Sequence, residues 1–169
     1  MAVSAKAVAN RLLARAREGG KTIDPLQMEK LVFLAEGYTL ATNSGDSLFL
    51  DPIEAWKHGP VVPELYFALR QYGADPITGD LFEYDYDARE EVRAIGAFSE
   101  VEGEVVDAVW DAYGSWTGPQ LIKLTHEPDG PWDKARKRGG NRERNPRILR
   151  DDMLDWCFRK LAGTVTVTA

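Results

Sequence analysis

Chemistry in this chain would have to come from few reactive side chains. There are two histidines, His58 and His126, and one cysteine, Cys157. Each histidine sits in a proline-flanked loop where a helix begins or ends. A lone imidazole there is more often a structural hydrogen-bonding group than a ligand. Two histidines with no cysteine cluster and no carboxylate at ligand spacing make no metal site. Glu127 follows His126, but the second histidine one helical turn away, which a zinc-protease helix needs, is missing. Cys157 lies on an apolar stripe with Leu154, Phe158 and Leu161 and reads as a small buried hydrophobe, since a nucleophilic thiol needs exposure and a cationic setting. Gly19-Gly20 and Gly139-Gly140 lack phosphate-loop spacing, and no Gly-x-Ser-x-Gly elbow occurs. Asp85, Asp87, Glu90 and Glu91 stand in a broadly acidic stretch where no acid is marked for burial, as a glycosidase pair requires. The expectation is a protein that is not an enzyme and carries no cofactor and no metal.

Binding chemistry is better represented. From Asp75 to Asp111 there are 12 acidic residues and two basic ones, a local charge of −10. From Lys134 to Arg150 there are eight basic residues and one acidic, a local charge of +7. Such asymmetry either steers a charged partner or reflects two solvated faces that attract each other within one fold. The basic stretch has the arginines and flexible glycines of a phosphate-binding loop, yet the chain carries a net charge of −6 and no nucleic-acid-binding motif is evident. Nucleic acid is therefore a minor reading. Of the five tryptophans, Trp56, Trp116 and Trp132 flank the Pro- and Gly-rich motifs. They read as loop anchors or as an aromatic protein-binding surface.

These groups must be positioned by one domain. A chain of 169 residues with 44% hydrophobic and 28% charged residues can build a core without staples. No stretch approaches the ~20 apolar residues of a membrane span, and the N-terminal segment has no signal-peptide core. With its single cysteine, the chain reads as cytoplasmic.

Helix starts are marked along the sequence. Ser4 caps a first helix that Gly19-Gly20 stops. Asp24, Pro25 and Gln27 open a second helix as a capping box, and its run Leu31 to Ala35 is apolar throughout, so most of its faces are buried. Leu48–Leu50 and Ile53–Lys57 read as short strands pairing in a small hairpin. Lys57 to Pro63 is extended, and Pro63 opens a helix with Leu65, Tyr66 and Leu69 inward. Gly73 to Arg89 reads as a long acidic loop pinned by its aromatics, followed by a short helical turn over Ala88 to Ile95. Ser99 and Glu102 form another capping box, with Val101, Val105, Val109 and Ala112 inward. Thr117 with Gln120 repeats that logic. Pro131-Trp132 opens a helix to about Lys137, Arg142–Arg150 is irregular, and Asp151 caps the last helix. The fold class is mainly α: a single-domain helical bundle with a small β-hairpin near residues 48–57, a domain spanning 3–162 and a frayed tail over 163–169.

Two segments together resemble a known family. Glu54-Ala55-Trp56-Lys57-His58-Gly59-Pro60-Val61-Val62-Pro63-Glu64-Leu65-Tyr66 resembles the signature of the Panacea domain, the SocA/GepA-like antitoxin family. Leu121-Ile122-Lys123-Leu124-Thr125-His126, followed by Pro131-Trp132 and Ala135-Arg136, resembles its later motif, with Ile122 where a serine is common. Met28 to Tyr38 is similar to its early helix. The resemblance covers about residues 5–162, and the 75–87 loop has no counterpart in it. It implies a prophage-type antitoxin that neutralises a cognate protein toxin by direct binding. In some members the antitoxin instead delivers its toxin to an AAA+ protease such as ClpXP. The residues it offers as partner-binding are Trp56, His58, Gly59, Pro60, Val61, Tyr66, His126 and Trp132, and the acidic segment adds Asp85 and Asp87 as a complement to a basic toxin. Gly59 and Pro60 make a rigid loop that loses little entropy on binding. Homo-oligomers are compatible with all of this.

Overall fold

Four helix starts are fixed by the side chains that the sequence marks as caps. A computed structural model describes the backbone of residues 2–168 and side chains through Gly163. Helix α1 (Ala5–Glu18) begins where the Ser4 hydroxyl accepts from the Ala7 amide. Helix α2 (Pro25–Thr42) begins with a complete Asp24/Gln27 capping box. The boxes Ser99/Glu102 and Thr117/Gln120 open α4 (Glu100–Tyr113) and α5 (Gly118–Thr125). Each box satisfies backbone N–H groups that a helix start leaves orphaned. Pro63 and Pro131 stand at the first turns of α3 (Pro63–Leu69) and α6 (Pro131–Gly139), where no N–H is required. A 3-10 turn, Arg70–Tyr72, follows α3. Helix α7 is Arg150–Thr168. It takes in the backbone of 163–168, read from sequence as a tail, and Ala169 lies outside the described residues.

Helix α2 is the axis of the molecule. It packs against α7, α4, α5, α1, α3 and the second strand of the first hairpin. Every residue from Met28 to Gly37 is buried, as the uninterrupted apolar run Leu31–Ala35 leads one to expect. Gly37 leaves room for α7: a Cβ there would lie 2.6 Å from the Cys157 sulfur. Cys157 is buried, and burial pushes its thiol up to about 12. Several residues assigned inward from sequence point out: Val101 (40% exposed), Ala112 and Phe158 (57%), with Tyr66 of α3 among them. In α4 the buried set is Glu102, Gly103, Val106, Val109 and Trp110, so its inner face is rotated past Val101.

The β structure differs from the sequence expectation in partner and in extent. Strand β1 (Glu54–Trp56) pairs antiparallel with β2 (Gly59–Val61), across a two-residue turn at Lys57-His58. Leu48–Leu50 is not its partner: Phe49 bridges Val3 instead, and the Leu48 and Phe49 amides donate to the buried Glu36 carboxylate at 3.0 Å each. Pro60 is accommodated because β2 is an edge strand. On the other side of β1, the Ala55 amide donates to Pro146 O and the Ile148 amide to Ile53 O. The stretch Gly73–Arg89, expected as a loop, holds the first strand and the turn of a second hairpin. Strand β3 (Phe82–Asp85) pairs with β4 (Glu90–Arg93), where a helical turn was expected. No residue of either strand is buried, so no apolar face announced them. The hairpin is held from below by Asn10, whose amide donates to Leu81 O and Ala94 O and accepts from the Leu81 N–H.

Candidate protein-binding surface

The β1–β2 turn carries most of the residues singled out by the sequence motif, and α2 supports it from behind. Gly59 has φ +116, a backbone region that side chains avoid. A Cβ there would also lie 2.7 Å from Lys30 Cε. Glycine thus lets the turn settle on a buried lysine. Lys30 is 1% exposed and donates to Pro60 O at 2.9 Å. Its neighbour Glu29 accepts from the Val62 amide at 2.8 Å through Oε2, while Oε1 is buried with no hydrogen-bond partner. Burial pushes Glu29 up to about 8, against the pull of the Val62 N–H and of Lys30. Burial pulls Lys30 down to about 8, partly offset by Glu29. Two ionisable groups that water would otherwise solvate are thereby committed to one turn.

The aromatic side chains lock the same turn from the front. Trp132 donates from Nε1 to Trp56 O at 2.8 Å, and Trp56 donates from Nε1 to Glu54 Oε1 at 2.8 Å. His126 ends α5 and stacks flat on Trp132, with ring centres 3.6 Å apart and planes 7° apart. Its Nε2 is buried without a partner, and desolvation, followed by the nearby positive charges of Lys30 and Arg136, pulls its pKa down. It is therefore a neutral packing group at pH 7. Arg136 donates to Ala55 O and Arg144 O, which ties α6 to β1 and to the loop after α6.

Of the residues assigned from sequence, Trp56, Gly59, Pro60, Val61, His126 and Trp132 form this assembly, and Gly59, Pro60 and Val61 are buried. His58 is exposed at the turn tip. Tyr66, expected inward, is 41% exposed and packs its ring 4.8 Å from Trp56. Its neighbour Phe67, 60% exposed, continues the aromatic face with its ring 5.5 Å from Tyr66. Phe67 and the buried pair Glu29 and Lys30 were not identified as functional from sequence. Phe67 follows Tyr66 outside the quoted motif, and a charged pair inside an apolar helix carries no periodic signal. Asp85 and Asp87 belong to the other hairpin. Among the described residues, no hydrogen bond, ion pair or ring contact joins them to Trp56, His126 or Trp132.

The two charged segments do not neutralise each other. Asp107 and Asp111 pair with Arg11 and Arg15 of α1, and Asp80 with Arg17 and Arg93. In the basic segment, Lys137 pairs with Asp133, Arg138 with Asp152 and Arg150 with Glu36. Among the described residues, no group of three His, Cys, Asp or Glu side chains could hold a metal ion, and no helix is long and apolar enough to cross a membrane.

A two-residue turn, braced by a buried lysine and a buried glutamic acid and flanked by exposed aromatics, is the kind of surface a protein-binding module presents. The family model described as antitoxin SocA-like, Panacea domain, matches residues 28–133, and the chain belongs to that family. The chain is also similar to Antitoxin SocA of Caulobacter vibrioides (strain NA1000 / CB15N), with 30% identity over 131 residues, 78% of this chain and 69% of that protein. No solved structure matches it. The matched region holds α3, α4, α5, both hairpins and the Trp56–Trp132 assembly.

Proposed function

We propose that this antitoxin-family chain neutralises a cognate protein toxin by direct contact in the cytoplasm, without catalysis of its own. The observation that carries the reading is the exposed aromatic face of Tyr66 and Phe67 beside Trp56 and His58. Exposed apolar side chains clustered on a rigid support mark interaction sites, and aromatic residues dominate their energetics. The buried motif residues Gly59, Pro60 and Val61 act as the support, and Trp56, His58, Tyr66 and Phe67 make the contact. Trp132 and His126 hold Trp56 in place. The acidic hairpin with Asp85 and Asp87 steers a basic toxin toward this face.

The test is co-expression with the product of the adjacent open reading frame. Growth rescue with a stable complex is the expected result. Rescue without a complex, accompanied by faster loss of the toxin, would favour delivery to an AAA+ protease. That second reading draws on the presence of two separate exposed surfaces, the α3 face and the β3–β4 hairpin, because an adaptor needs two. A nucleic-acid role for Lys134–Arg150 is weaker, since Arg136, Lys137, Arg138 and Arg150 are engaged within the chain.

A further inference from the structure

A cavity of about 370 Å³ opens between the start of α2, α3 and the β1–β2 turn. Leu26, Val61, Trp56 and Tyr66 form its walls, and Glu29 and Lys30 line its floor. Lys57 and Arg70 stand at its exposed mouth, and among the described residues neither has an ion-pair partner. Glu29, one of the lining residues, is only 4% exposed, and its Oε1 has no hydrogen-bond partner. A buried polar atom left without a partner is costly, so an occupant that satisfies it gains affinity. The cavity therefore asks for three things: an apolar ring, one polar group at its far end, and negative charge around it.

The chain itself presents that combination elsewhere. Tyr86 stands at the start of the β3–β4 turn and is 84% exposed. The turn is preformed, because the Asp85 carboxylate accepts from the Asp87 and Ala88 amides. Asp87, Glu90 and Glu91 are exposed acids of the same hairpin, and Tyr84 packs edge-on against the Tyr86 ring at 4.9 Å. A phenol also suits Glu29 in either protonation state: its hydroxyl donates to a carboxylate and accepts from a carboxylic acid. Phenylalanine would leave Oε1 unpaired, and an indole could only donate. Asn10 holds this hairpin on α1 and Tyr86 stands in solvent, so the occupant must come from another molecule.

We propose that a second copy of this chain inserts Tyr86 into the cavity over Glu29, with the acidic turn meeting Lys57 and Arg70. Reciprocal insertion closes a two-fold dimer, and one-way insertion builds chains. Either arrangement covers Trp56 and Tyr66, so self-association competes with a toxin for that face.

Sedimentation equilibrium on the purified full chain tests this without any toxin, so its result is separate from that of the antitoxin reading. Over about 10 μM to about 500 μM at low salt, the mass should rise with concentration and fall back at about 500 mM salt. Tyr86→Ala should remain monomeric, and Tyr86→Phe should associate about tenfold more weakly. Asp87→Lys alone and Lys57→Glu/Arg70→Glu alone should each stay monomeric, and mixing the two should restore association. All of these positions are exposed, so the fold survives the changes. A monomer at every concentration would overturn the proposal, as would association indifferent to Tyr86→Ala or absent from the charge-swapped mixture.

Discussion

The ammonium of Lys30 donates to the carbonyl of Pro60 across 2.9 Å from a side chain only 1% exposed. This contact joins the two parts of the family motif. The early helix supplies Glu29 and Lys30, and the later Gly-Pro loop supplies the backbone that satisfies them. Lys30→Met should cost about 3 kcal/mol, because it removes the donor to the buried Pro60 O and the positive charge beside the buried Glu29. Urea unfolding measures it, and a loss well under 1 kcal/mol would mean the pair is incidental.

Glu29 also gives the turn a pH signature. Burial raises its pKa from 4.5 to about 8, so over that interval the folded chain holds a proton that the unfolded chain has released. Its contribution to stability is therefore fully present below about 4.5 and is lost as pH rises through about 8. The stability of the wild type relative to Glu29→Gln should fall steadily over that window. Glu36 is raised too, by burial, so part of the slope will persist in the variant. Denaturant titrations of both proteins across the window give the difference directly.

Most helices could be read from the sequence because their caps are local chemistry: Ser4, Asp24, Ser99 and Thr117 each accept the expected amide. The buried α2 was readable from its unbroken apolar run. The strands were not. Pro60 lies in β2 where a proline argues against a strand, and only its edge position permits it. In β3–β4 the alternating Phe82, Tyr84 and Tyr86 face solvent rather than a core, so alternation points to no interior. The site was half readable. The motif marks the turn and its tryptophans, while the exposure of Tyr66 depends on how α3 settles against α1 and α2, which is a matter of tertiary packing.

Asn10 is the fastening of that second hairpin. Asn10→Ala removes the partner of the Leu81 amide and of the Ala94 carbonyl, while Leu81 O keeps only the Ala94 N–H. The cost should be about 2–3 kcal/mol, and amide exchange across 82–93 should quicken before the rest of the chain responds. Uniform acceleration along the whole chain would show that the hairpin and the bundle open together.

Cys157 should be inert. Its thiol is held up at about 12 by burial and lies against Gly37. A disulfide reagent should modify it only at the rate of unfolding, with the rate rising in parallel with denaturant. Fast labelling of the native chain would place it at the surface.

The central claim is that the Tyr66–Phe67 face binds the toxin while the turn behind it only supports. The most direct measurement is the affinity of the purified chain for its toxin, compared between wild type and a Tyr66→Ala/Phe67→Asp variant of equal thermal stability. The account predicts at least a hundredfold weakening, about 2.7 kcal/mol, together with loss of growth rescue. Unchanged affinity in a variant that folds as well as the wild type would contradict it and move the toxin contact to another face.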